Sequence, residues 1–176
     1  SAFLAILEER DSIFLDFAVF GPHGDRLIKV RRFEAMIQGP DGKMKKVEML
    51  GPANFREWEG SFRVFRTLCI MFNVMMPARL DRYYRKVRKY NDEHPEAWGL
   101  IYQADVRARL EHAPDVLESI EEEYADAITK GQPHSYDPDR PWDSVFARLV
   151  AEEDKFWQKE LERPGLVILA GAASQH

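Results

Sequence analysis

Cysteine occurs once in these 176 residues, at Cys69. One thiol excludes an internal disulfide framework and a cysteine-based zinc cluster. It suits a reducing compartment, so an intracellular setting, cytoplasmic or nuclear, is expected. Long apolar runs are also missing. Leu166 to Ala170, the longest near an end, falls well short of the roughly 18 residues of a membrane span and lies at the wrong terminus for a secretory leader. No membrane partner is expected. The chain starts Ser1-Ala2 without Met, which reads as a piece of a longer polypeptide. Histidines are few and scattered (His23, His94, His112, His134, His176), and none lies three or four residues from another or from the cysteine. Walker loops, dinucleotide fingerprints and nucleophile elbows are absent. No cofactor or metal is therefore expected, and His134 with Asp137 and Asp139 reads as solvated loop polarity.

An apolar fraction of 45% with 12% aromatics supplies a core of ordinary size. Its centre is the stretch Asn54 to Phe72. Phe55, Trp58, Phe62, Phe65, Cys69 and Phe72 recur at steps of three and four, so they stack along one helical face. Leu68, Ile70 and Met71 widen this stripe, and burial on more than one side is expected there. Asn54 followed by Glu57 signals the N-terminus as a capping box does. Cys69 lies on the apolar face with no histidine near it, and reads as a small buried residue.

Ahead of this helix, Ala2 to Glu9 reads as a short amphipathic helix and Ile13 to Phe20 as a strand, with helix continuation as the alternative. Arg31 to Leu50 reads as a β-hairpin. Phe33, Ala35 and Ile37 alternate, Gly39-Pro40-Asp41-Gly42 turns, and Met44, Val47 and Met49 follow. Behind it, Pro77 opens a helix running to about Asn91, and Pro95 opens another with Trp98, Ile101, Tyr102, Val106 and Leu110 on one stripe. Pro114 should kink or break that pattern before Val116, Leu117, Ile120, Tyr124 and Ile128 resume it. Residues 131–141 form a loop with three prolines. A last helix is expected from Trp142 to about Glu162. The fold class is mainly α, a bundle of about five helices with an N-terminal hairpin, with α+β as the alternative. Residues 1–130 would form the core domain, and 142–176 a helix and tail packed on it.

Charge is divided unevenly. Residues 1–91 carry 17 Lys+Arg against 11 Asp+Glu, and residues 92–176 carry 8 against 19. Such halves either fold together or join copies of the chain head to tail. The basic share concentrates on the 78–91 helix at Arg79, Arg82, Arg85, Lys86, Arg88 and Lys89, with tyrosines between. Lys43, Lys45 and Lys46 sit at the hairpin tip, where lysine protects an edge strand. These nine cations are the candidate partner- or nucleic-acid-binding residues.

Three stretches carry a family resemblance: Phe14-Leu15-Asp16-Phe17-Ala18-Val19-Phe20-Gly21-Pro22, Phe55-Arg56-Glu57-Trp58 through Phe65-Arg66-Thr67, and Tyr102-Gln103-Ala104-Asp105-Val106-Arg107-Ala108-Arg109-Leu110-Glu111-His112. They resemble segments upstream of the enzymes in retrotransposon-type polyproteins of unicellular eukaryotes. Over about residues 14–112 the resemblance implies a Gag- or capsid-like, non-catalytic, mainly helical region that self-associates. It transfers no functional residues, and the chain has neither a major-homology-type motif nor a Cys-rich zinc knuckle. The expected function is therefore a non-catalytic assembly domain whose partner is itself or another protein. The alternatives are a nucleic-acid-binding module using the basic helix and an enzyme whose site is dispersed in sequence.

Overall fold

The computed structural model describes residues 15–17, 32–151 and 155–162. The expected helix Ala2 to Glu9 and the tail Leu166 to Ala170 lie outside them. Of the expected strand Ile13 to Phe20, only Leu15 to Phe17 are described, and Phe17 sits in a turn. The described chain is an antiparallel hairpin followed by five α-helices, the mainly α class that the periodicities require.

Strands β1 (Arg32–Gln38) and β2 (Met44–Leu50) place Phe33 opposite Met49 and Ala35 opposite Val47. These residues are half-buried while Arg32, Glu34 and Glu48 are exposed, the alternation that a one-sided sheet imposes. Gly42 closes the turn by donating to the Gly39 carbonyl at 3.0 Å, with φ +76. That positive φ is what the Asp-Gly signal demands. On the outer face Glu34 lies across from Glu48, and Lys46 (2.6 Å from Glu34) and Arg32 (2.9 Å from Glu48) offset the repulsion.

Helix α1 (Phe55–Met71) starts as the sequence signals. The Asn54 side chain accepts from the Glu57 N–H at 3.0 Å, and Glu57 reaches back to the Ala53 N–H at 3.1 Å. Asn54→Ala is expected to cost about 1 kcal/mol, read as a lower urea midpoint; an unchanged midpoint would show the cap to be idle. Trp58, Phe62, Phe65 and Cys69 are buried as expected. The widening of the stripe is not borne out: Ile70 is exposed and Met71 is 70% exposed, so the second half is buried on one side only. The helix then turns through Asn73 (φ +52), with Val74 N–H bonded to Cys69 C=O and Asn73 N–H to Ile70 C=O. This left-handed C-terminal cap leaves Ile70 and Met71 on the solvent side of the corner.

Burial pushes the Cys69 thiol from its ordinary 9.0 up to about 12. In the unfolded chain it ionises first, so its effect is to lower stability as pH rises from about 9 towards 12. A thiol reagent at pH 8 is expected to label Cys69 only after denaturation, and equally fast labelling of the folded chain would contradict its burial.

Helix α2 (Pro77–Glu93) follows, with Pro77 in its first turn and Leu80, Tyr83, Val87 and Tyr90 buried. A 3₁₀ turn (Pro95–Ala97) leads into α3 (Trp98–Arg107), against which the hairpin docks. Contact is close at Gly99, where a Cβ would fall 2.2 Å from that of Ala35. Between α3 and α4 (Ala113–Thr129) the chain stays helical through a π turn, Ala108–His112. The Ala113 N–H bonds the Ala108 carbonyl, one residue further back than in an α-helix. Pro114 has no N–H to give, and the break expected there takes the form of this wider turn. Leu110 and Ile128, expected on buried stripes, are exposed.

Helix α5 (Pro141–Leu149) ends about thirteen residues before its expected end near Glu162. The reason is visible in one bond. Trp157 donates its indole N–H to the Leu149 carbonyl at 2.9 Å. In a continuous helix those residues lie about 12 Å apart along the axis, so the chain must double back to make it. Trp157 then stacks on Tyr90 and meets Tyr83 edge-on, closing the core.

Candidate functional site

Helix α2 presents its charges on the side away from Leu80, Tyr83 and Val87. Of the six cations expected to act together, the structure divides them. Arg79 turns toward α5, its Nε 3.1 Å from an Asp143 oxygen. Arg88 and Lys89 pair only within their own helix, with Asp92 at 3.5 Å and Glu93 at 3.9 Å. The Lys86 ammonium lies over the Tyr90 ring, 5.8 Å from its centroid. No ion pair joins Arg82 or Arg85 to any described residue, and both are exposed. The adjoining α1 contributes Arg66, held by Asp81 at 2.9 Å, and Glu59, which accepts from the Tyr84 hydroxyl at 2.6 Å. Burial first, and then this bond to Glu59, raises the Tyr84 phenol above its ordinary range.

The hairpin lysines form a separate group. Lys45 approaches Asp41 at 3.8 Å, Lys46 pairs across the sheet with Glu34, and Lys43 is exposed at the turn. The strands dock on α3, and no ion pair or hydrogen bond among the described residues links this group to α2.

The acidic half is organised around α4, which carries Asp115, Glu118, Glu121, Glu122, Glu123 and Asp126 and no Lys or Arg. Glu121 accepts from the Tyr136 hydroxyl, and Asp126 pairs with Lys130. Glu123 takes both terminal nitrogens of Arg148, which hold its carboxyl below the usual range. Asp115, Glu118 and Glu122 meet no cation among the described residues. The main neighbours of α4 are α5 and the π turn, and those of α2 are α1, α3 and α5. The basic and acidic helices of one chain thus do not lie against each other as major partners. Exposed Met71 and Met76 sit at the corner beside the start of α2.

Two arrangements left no local signal in the sequence. The first is a fully buried ion pair between Asp105 and Arg109. One Asp105 oxygen accepts from Tyr83 Oη at 2.8 Å and Arg109 Nε at 3.1 Å. The other accepts from Trp58 Nε1 at 2.9 Å and Arg109 Nη2 at 2.7 Å. Arg109 also donates to the Leu15 carbonyl at 2.8 Å and lies 4.1 Å from the Phe17 ring centroid. Burial works against the guanidinium charge, but Asp105 more than offsets it, and the net direction is upward. With every oxygen doubly bonded, this network locks α1, α2 and α3 to residues 15–17 and offers no open position to a substrate.

The second is a cleft of about 400 Å³ where α2, α4, α5 and the 131–140 loop converge. The loop is ordered by its own polar groups: His134 Nδ1 accepts the Tyr136 N–H, and Asp137 accepts the Asp139 N–H. These bonds engage the His134 and Asp137 side chains, and Asp139 takes part through its backbone N–H. No cluster of three or more metal-ligating side chains, and no helix long and apolar enough to cross a membrane, occurs among the described residues. No family model matches the chain, and no curated protein or solved structure matches it.

Proposed function

We propose that this chain is a non-catalytic, Gag-like assembly domain in which the basic α2 face of one copy meets the acidic α4 of the next. The observation that supports it most is the mismatch inside a single chain. Arg82 and Arg85 on one helix, and Asp115, Glu118 and Glu122 on the other, lack countercharges among the described residues, while the two helices are not main neighbours of each other. The basic patch of one copy meeting the acidic patch of the next is a head-to-tail contact that, repeated, builds rings or open chains, whereas the same two patches meeting reciprocally build a two-fold dimer. Each exposed pair contributes about 0.2–1 kcal/mol, so many must act together and the contact must weaken with salt. Met71 and Met76 beside α2 add apolar area that charges alone do not supply.

Sedimentation should then show species larger than the monomer at about 0.02 M salt and monomer near 1 M, where the screening length is about 3 Å. A monomer at both would remove assembly. Mixing gives a stricter reading. Arg82→Ala/Arg85→Ala and Glu118→Gln/Glu122→Gln chains should each fail to self-associate, yet pair one to one when combined.

A further inference from the structure

The cleft between α2, α4, α5 and the 131–140 loop has a surplus of hydrogen-bond donors. Both of its carboxylates already accept hydrogen bonds on each oxygen. Asp143 takes the Met76 N–H at 2.8 Å on one oxygen and Arg79 Nε at 3.1 Å on the other. Asp137 likewise takes the Asp139 N–H at 3.0 Å and Arg140 Nε at 3.3 Å. Both arginines are therefore held through Nε, and among the described residues their Nη nitrogens meet no acceptor. The hydroxyls of Ser135 and Ser144, which also line the cleft, make no hydrogen bond to a described residue either. Ile120 and Ala147 add an apolar stretch to the same lining.

A guanidinium presents its nitrogens in a planar fork that matches the oxygens of a phosphoryl group. Fixing the fork through Nε before a ligand arrives lowers the ordering cost of binding. The volume is that of a small-molecule site, and polar groups converging beside apolar lining are its usual make-up. We infer that this cleft binds a small phosphate monoester. Its phosphoryl oxygens are taken by the Nη groups of Arg79 and Arg140 and by a serine hydroxyl, and its organic part lies against Ile120 and Ala147. Arg79 thereby belongs to a different surface from Arg82 and Arg85, and the inference does not depend on self-association.

Titrating the full chain with inorganic phosphate and with phenyl phosphate, followed by amide NMR shifts, tests it. Saturable shifts centred on Ser135 and Ser144 are expected, with phenyl phosphate bound several-fold tighter because its ring covers apolar lining. Arg140→Gln should weaken phenyl phosphate binding about tenfold or more, and Arg82→Gln/Arg85→Gln should leave it unchanged. Because Arg140→Gln also removes the partner of Asp137, Ser144→Ala provides a second variant with a smaller loss, and circular dichroism confirms the fold of each. Shifts that never saturate, that centre on Arg82 and Arg85, or that ignore Arg140→Gln and Ser144→Ala together would overturn the site. Equal affinity for the two ligands would overturn the monoester.

Discussion

Arg109→Leu is expected to lower unfolding stability by about 3–5 kcal/mol, the cost of leaving a buried charge uncompensated. Asp105 is fully buried and, among the described residues, would keep only Trp58 and Tyr83 as donors, with no other cation paired to it. Arg109→Lys should not rescue it, because two parallel N–H bonds need the planar fork. The double variant Asp105→Leu/Arg109→Leu should cost less than the two single changes added together. It removes both charges, though Trp58 then loses its acceptor, at about 1–3 kcal/mol, and Tyr83 keeps only the Asp105 backbone carbonyl at 3.5 Å. Urea unfolding followed by tryptophan emission measures all four variants, Asp105→Leu included, and a loss under 1 kcal/mol for Arg109→Leu would show that the pair does not hold the core. Alkaline pH probes the same network. Burial and then the Asp105 charge raise the Tyr83 phenol well above its ordinary 10.0, so the unfolded chain deprotonates first. Stability should fall as pH climbs past about 10, in step with Cys69.

Gly51→Ala should cost about 2–6 kcal/mol. Gly51 has φ +146, and a Cβ there would lie 2.1 Å from the ring of Tyr102, itself buried. Forcing a methyl into packed surroundings costs about 1–3 kcal/mol, and holding a side-chain-bearing residue in that backbone region about as much again. Gly131 is the internal comparison. It takes φ +64 at the end of α4, but a Cβ there meets nothing within 4 Å. Gly131→Ala should therefore show the backbone part alone, about 1–3 kcal/mol. Equal thermal shifts for the two variants would mean that the contact with Tyr102 contributes nothing.

The elements legible in the sequence are those fixed by neighbours in the chain. Asn54 with Glu57, Pro77 in a first turn, and Asp41-Gly42 between alternating strands each state a local requirement, and each is met. Where a distant residue decides, the pattern misleads. The apolar periodicity from Trp142 to Leu161 fits one helix, but Trp157 needs the Leu149 carbonyl and the helix stops. Asp105 and Arg109 stand four apart, a spacing shared with exposed helical pairs, and only Trp58, Tyr83 and Phe17 arriving from elsewhere bury them. The cleft is illegible for the same reason, since its lining comes from four segments between Arg79 and Arg148. The basic helix is legible as a set of charges. Its division into Arg79, held by Asp143 of α5, and Arg82 and Arg85, paired with no described residue, depends on where α5 lies.

The widened turn at 108–112 works as a one-residue spacer. The extra residue is taken up inside the turn, so removing exposed Leu110 would restore regular winding and leave α4 facing nearly the same way. A residue removed from the regular turns of α3 has no such slack and would rotate everything downstream by about 100° around the helix axis. A deletion at Leu110 should therefore be far better tolerated than one within α3.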